Sequence, residues 1–250
     1  MGIKREILLG IKKIKWFTFS RVKYFLTKEI SEHKTISLVC ISKRYKKIKN
    51  LLASIKKNTN NITNIELLLL VDKDDQNISK YRKILKKYKK NLRIRFFIKK
   101  FKKNTQKINF LANKSNHELI SGVGDDIVLE KNWDKEILIT ANKFKKKDYF
   151  SIWPREKTFK YDYLHNNFPI INKFWLKKYG VYLDPRFHHY FADNYLCDIC
   201  RKSKKFLITK KNIFSHTQVI GGQKIDDVIK KNLTNLEKDK KTYEKLKKNL

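Results

Sequence analysis

Short unbroken apolar runs, each followed by a stretch with a helical face, constrain this chain more than any other feature. "ISLVCI" (36–41), "IELLLLV" (65–71) and "ELISGVG" (118–124) are short and show no polar face. That is the pattern of parallel strands covered on both sides. "LRIRFFI" (92–98) alternates, as a strand nearer an edge does. Between the runs, Ile48, Leu51, Leu52 and Ile55 recur at helical spacing, one face of an amphipathic helix. Ile78, Tyr81, Ile84, Leu85 and Tyr88 mark a second helix, and "TQKINFLANKS" a third. Strand and helix in strict alternation predict a doubly wound α/β fold, its sheet mostly parallel and flanked by helices.

Beyond residue 126 the rhythm loosens. The pattern predicts a helix over 133–144, a strand at "YFSIW" and a helix over 168–180 stopped by Gly180. Asp193 falls near the start of a further helix, and "KFLIT" and "NIFSH" read as two short strands, the second ending at His216. Three parts follow: a basic amphipathic N-terminal segment (1–34), the α/β domain (35–220) and a lysine-rich helical tail (221–250). Both terminal parts are expected as helical appendages, the tail solvated.

Charge bounds the partners. Lys and Arg number 60 against 24 Asp and Glu, a net charge of +36. Such an excess seeks polyanions, nucleic acid or an anionic membrane. The same excess arises when Lys, Ile, Asn, Phe and Tyr are enriched together, as an AT-rich genome would enrich them. The lysines are spread along nearly every helix, whereas a nucleic-acid binder gathers them on one face among aromatics. Nucleic acid is therefore not the expected partner. The three cysteines, Cys40, Cys197 and Cys200, suit reduced thiols in the cytoplasm, and the Cys197–Cys200 pair has no second pair to complete a zinc site. No apolar run reaches the ~18 residues of a membrane span. The N-terminal "IKREILLGIKKIKWFTFSRVKYFL" is interrupted by lysine too often for a signal core. It suits a peripheral helix on the inner face of an anionic membrane, or a first helix packed on the domain.

Against this basic background the acids are informative. Asp72, Asp74, Asp125 and Asp126 all fall at the carboxyl ends of predicted strands, where open α/β sheets bind ligands. Paired carboxylates beside Gly122 and Gly124 suggest a hard divalent cation, Mn2+ or Mg2+, with the phosphates that accompany one. An ordinary strand-to-loop turn would use the same residue types.

The ordered set "VDKDD", "GVGDDIVLEKNWD" and "DPRFHHYFADNYLCDICRKSKK" resembles the GT-A glycosyltransferases of the family-two-like kind, over roughly residues 35–220. The resemblance implies a GT-A fold and transfer of a sugar, with inversion, from a nucleotide-diphosphate-sugar donor to a glycan, lipid-linked or other hydroxyl acceptor. Carried onto this chain, it makes Asp126 a metal ligand, with Asp125 a second ligand or a ribose contact and Gly124 a point of close approach to the nucleotide. Asp72 and Asp74 would hold the base or ribose, His216 would complete the metal site, and Asp193 would be the general base. A role as helix N-cap or first-turn acid competes with that last assignment. His188 and His189 lie just upstream of Asp193; Trp133 and Trp175 read as core residues or sugar platforms. Two departures stand out. The acidic motif is Gly-Asp-Asp rather than Asp-x-Asp. The Gln-x-x-Arg-Trp motif of processive synthases is absent, which points to addition of a single sugar. Rival classes are a metal-dependent nucleotidyltransferase or phosphohydrolase using the same carboxylates, and a nucleic-acid-binding protein driven by charge.

Deleting residues 1–30 should release the protein from anionic liposomes at moderate salt, since each basic residue near such a surface contributes about 1 kcal/mol. Co-sedimentation checks this; a full-length protein that never binds the liposomes makes the segment a packing helix.

Overall fold

The computed structural model describes residues 33–158, 166–217 and 233–250. The N-terminal segment expected to meet a membrane falls at 1–34, almost all of it outside these residues, as do 218–232.

The alternation yields β1 (Ile36–Ser42), α1 (Tyr45–Asn58), β2 (Ile65–Val71), α2 (Ile78–Tyr88), β3 (Arg93–Ile98), α3 (Asn104–Lys114) and β4 (Leu119–Gly124). A short β5 (Ile127–Leu129) and α4 (Trp133–Ala141) follow. Then come β6 (Ser151–Glu156), β7 (Ile170–Asn172), α5 (Lys173–Tyr179), α6 (Ala192–Ser203), β8 (Phe206–His216) and α7 (Leu236–Lys247). The strands form one sheet in the order β3-β2-β1-β4-β7-β6-β8-β5. β1 pairs in parallel with β2 and with β4, β2 with β3, and β6 with β8; β7 runs antiparallel between β4 and β6. The alternating "LRIRFFI" is an edge strand, as its pattern predicts.

Within the sheet and the helices beside it, two expectations needed correction past residue 126. The helix expected over 168–180 begins only at Lys173, because Ile170 and Ile171 pair with β6 and β4. Asn172 then caps the helix by accepting from Trp175 N, and Gly180 ends it in the left-handed region at φ 75°. "KFLIT" and "NIFSH" are one long strand, β8, whose register against β6 is irregular between Trp153 and Glu156.

Strand alternation splits the core between the two faces of the sheet. Leu38, Cys40, Leu67 and Leu69 pack with Ile48, Leu51, Leu52 and Ile55 of α1 and with Tyr81 and Leu85 of α2. Val39, Leu68, Leu70 and Ile120 pack on the other face with Leu111 of α3, Trp175 of α5, and Leu196, Cys197 and Cys200 of α6. Trp133 and Trp175 are each 1% exposed, which makes them core residues rather than sugar platforms. The three cysteines are buried free thiols; burial pushes Cys197 well up and Cys200 to about 12, so neither is poised to react.

The C-terminal helix is docked, not solvated. Leu246 packs with Phe187, Ala192 and Tyr195, Tyr243 Oη donates to Asp198 at 2.6 Å, and Asp239 is fully buried. The lysine-rich sequence conceals this because one carboxylate and a few apolar residues make the contact.

Buried carboxylates also tie connections together elsewhere. Asp134 of α4, 2% exposed, accepts from Asn60 N and Asn61 N, each at 2.9 Å, and so holds the chain leaving α1. Asp134→Ala leaves two amides without their charged acceptor and should lower unfolding stability by about 3 kcal/mol. Urea denaturation checks this; a loss below about 1 kcal/mol would mean that water replaces the carboxylate.

Candidate functional site

The chain reverses the direction of its winding at β1. From β1 it proceeds outward through β2 to β3, then returns to place β4 on the other side of β1. The carboxyl ends of β1 and β4 therefore part at a topological switch point, the place where open sheets leave a ligand crevice. Ser42, Lys43 and Arg44 end one strand; Gly124, Asp125 and Asp126 end the other.

Asp125 bridges the two ends. Its Oδ2 accepts from Ser42 Oγ at 3.0 Å, Lys43 N at 3.2 Å and Arg44 N at 3.1 Å. Its Oδ1 accepts from Arg44 Nε at 2.8 Å and from Arg44 Nη2. With the residue 3% exposed, both oxygens are engaged by the β1 turn. Ser42 Oγ also bonds the Tyr81 hydroxyl at 2.8 Å, extending the network to α2. The Arg44 guanidinium spans both acids, standing 3.0 Å from Asp126 Oδ2.

Asp126 turns back over the preceding glycine. A Cβ at Gly124 would lie 2.5 Å from Asp126 Oδ1, and one at Gly122 3.0 Å from the Tyr182 hydroxyl oxygen. The glycines are thus required by close approach of protein side chains. Gly122 N donates to that hydroxyl at 2.8 Å, and the hydroxyl donates to Pro169 O at 2.6 Å.

His216 comes to the same edge from the far end of the domain. It is the register partner of Ile127, and the next residue, Thr217, donates to Asp126 O through its amide at 2.9 Å and its hydroxyl at 3.0 Å. His216 Nδ1 pairs with Glu156 Oε1, and Phe168 stacks on the imidazole at 5.7 Å. Histidines that bind metals commonly have one ring nitrogen held by a carboxylate in this way.

The other candidates are held by partners of their own. Asp72, at the end of β2, pairs with Lys107 Nζ at 2.5 Å, a lysine side chain only 5% exposed. Asp74 is 63% exposed and paired with Lys100 at 2.8 Å, at the rim and not with the other acids. Asp193 stands in the first turn of α6, where its Oδ1 accepts from Asn194 N at 2.9 Å. The N-cap is Phe191, so Asp193 is a first-turn acid of the helix, one of the two structural roles expected of it, and not the cap. Its charge reaches Tyr182, whose hydroxyl is pushed up chiefly by burial. His188 bonds Asp239. His189 is exposed, with Asn104 Nδ2 3.1 Å from its Nδ1; neighbouring protein that displaces water first, then Lys43 and Arg44, lower its pKa, to about 4.

Sequence reasoning missed Arg44, Lys107 and Glu156. Arg44 was findable, since it follows β1 directly at the switch point. Lys107 carried no signal among so many lysines, and Glu156 acts only through a partner on another strand.

No family model matches the chain, and no curated protein matches it. Solved structures do. TarS of S. aureus in complex with UDP-GlcNAc aligns at a TM-score of 0.59 and 14% identity, covering 82% of this chain and 66% of that one. Its complex with UDP aligns at 0.58 and 15% identity, covering 72% and 60%. The mannosyltransferase PcManGT of Pyrobaculum calidifontis, in complex with GDP-Man and Mn2+, aligns at 0.62 and 6% identity, covering 84% and 65%. This chain spans less than two thirds of the length of each.

His189 should titrate well below 6.5, near 4, in an NMR titration. Because the folded pKa is the lower one, the unfolded chain takes up the proton first as pH falls below 6.5. The His189 contribution to stability is therefore lost between about pH 6.5 and 4; a midpoint at 6.5 would show that the exposed ring is neither desolvated nor acted on by Lys43 and Arg44.

The sheet order, the switch-point acids and these likenesses together give the chain the GT-A-type fold of glycosyltransferases.

Proposed function

We propose that this chain is a glycosyltransferase that moves one sugar from a nucleotide-diphosphate-sugar donor to an acceptor hydroxyl, with inversion and with a divalent cation. One observation carries the reading. Thr217, the neighbour of His216, binds the main-chain carbonyl of Asp126, so two residues far apart in sequence are tied to one edge of the sheet, with Glu156 on the imidazole. The fold around them is one whose solved examples include complexes with UDP-GlcNAc and with GDP-Man and Mn2+.

The residues fit a cation held partly by substrate. Among the described residues no three His, Cys, Asp or Glu form a metal-holding group. Hard cations in phosphate chemistry commonly take one or two protein ligands and complete their shell with phosphate oxygens and water. Asp126 and His216 would be those ligands, and the edge already attracts a cation, the Arg44 guanidinium. When bound, the ion would offset charge developing on the departing diphosphate.

The remaining roles follow from placement. Asp125, with both oxygens taken, fixes the 42–44 turn beside the donor. Asp72, backed by Lys107, is better placed than the exposed Asp74 to meet the base or ribose. Asp193 approaches from the α6 side and accepts the proton of the acceptor hydroxyl as that oxygen attacks the anomeric carbon. The acceptor is a glycan, a lipid-linked sugar or another hydroxyl compound, met at the membrane face if the N-terminal segment binds there. Among the described residues no helix is long and apolar enough to cross a membrane.

Titration calorimetry with UDP and GDP, with and without Mn2+, tests the donor site. Asp126→Ala should abolish the metal-dependent part of binding; unchanged affinity removes Asp126 from the site. Asp193→Asn keeps the shape of the first turn and loses the base. Its turnover should fall about 100- to 10,000-fold with nucleotide affinity retained, and near-wild-type turnover would move the search for the base elsewhere.

A further inference from the structure

The turn that leads into Asp193 is held from two sides, and one of them is the C-terminal helix. On the α3 side, Lys103 Nζ donates to Pro185 O and Arg186 O at 2.9 and 3.0 Å. Asn104 N donates to His188 O at 2.9 Å, and Thr105 Oγ1 to Phe187 O at 2.6 Å. On the α7 side, a single carboxylate collects three consecutive amides. Asp239 Oδ1 accepts from His188 N at 2.8 Å, and Oδ2 from His189 N at 2.8 Å and Tyr190 N at 2.9 Å. The His188 ring adds Nδ1 at 3.3 Å from Oδ1.

Asp239 is 0% exposed, and a carboxylate so buried persists only where donors surround it. The grip continues along the chain. Phe191 holds φ at 61°, an uncommon conformation for a bulky residue that needs support from its surroundings. Its ring stacks on Tyr243 of α7 with centroids 5.4 Å apart and planes 20° from parallel. Two residues later comes Asp193. The helix therefore fixes the backbone at 188–191, and that backbone sets where α6 begins.

We infer that Asp239 is a positioning residue, fixing through the 188–191 turn the direction from which Asp193 meets the acceptor. This rests on the reading of Asp193 as base. It also makes the C-terminal helix part of the working domain.

Two variants of the full-length protein test it. Asp239→Asn keeps size but turns an amide group toward backbone donors. Leu246→Ala removes packing from the same helix and leaves the carboxylate in place. In Asp239→Asn, amide hydrogen exchange at His188–Tyr190 and in the first turn of α6 should quicken by at least about tenfold, with β1 to β4 unchanged. With UDP-GlcNAc and GDP-mannose as probes in the presence of Mn2+, kcat should fall about 10- to 100-fold, as a misplaced catalytic group predicts, while donor KM stays within about twofold. Leu246→Ala should lose stability but lower kcat less than Asp239→Asn does. Unchanged exchange in Asp239→Asn overturns the inference, as does a fall in kcat that Leu246→Ala shares in proportion to lost stability. Asp193→Asn measured alongside keeps the two readings apart. If that variant retains turnover, the base assignment fails, and exchange still decides whether Asp239 sets the turn. A wild type that cleaves neither probe counts against the transferase reading, and exchange again decides Asp239.

Discussion

The carboxylate of Asp125 joins the two strands between which everything else is arranged. Parallel strands β1 and β4 are neighbours along their length, yet their carboxyl ends lead into different parts of the chain. Five donor contacts from Ser42, Lys43 and Arg44 converge on this one side chain. Hydrogen bonds to a buried ionised acceptor are stronger than neutral ones and costly to leave unmade. The two strand ends at the switch point are thus tied to each other. Asp126, one residue on, and Arg44, across the gap, are held by the same contacts.

This use of acid recurs through the molecule. Glu66, Asp125, Asp126, Asp134, Glu136, Glu156 and Asp239 are all buried, in a chain with only 24 acids against 60 bases. Asp134 and Asp239 accept from successive backbone amides, and Glu136 Oε1 accepts from Lys210 N and Lys211 N. A scarce acid in a basic chain marks a place where backbone donors need an acceptor, as often as it marks a ligand site. Lysine cannot fill that role, because an ammonium group donates and never accepts.

The division of labour in the proposed site follows from this. Donor-side residues sit on strand ends and their first turns, fixed by the sheet. The acceptor-side residue, Asp193, sits on a helix whose start is set by a loop gripped by α3 and α7. In the proposed reading, the two sides of the site thus hang on different elements, the sheet on one side and α6 with its preceding turn on the other.

The sequence by itself determined the parallel half of the sheet, the edge position of "LRIRFFI" and the gathering of acids at strand ends. These depend on local periodicity and on which residues end each run, and both are written in neighbouring positions. It misread the regions where an element's identity depends on a distant partner. Ile170 and Ile171 became a strand only because β4 and β6 offered them unpaired backbone. "KFLIT" and "NIFSH" joined into one strand by pairing with β6 and β5. The tail read as solvated because only a buried carboxylate and a few apolar side chains, set among lysines, dock it. Tertiary structure alone decided that Asp125 faces backbone donors, that Thr217, next to His216, reaches the Asp126 carbonyl, and that Asp239 grips the turn before Asp193. A carboxylate looks the same in sequence whether it binds a cation or a backbone amide. Which it does is set by the donors that folding brings within about 3 Å of it.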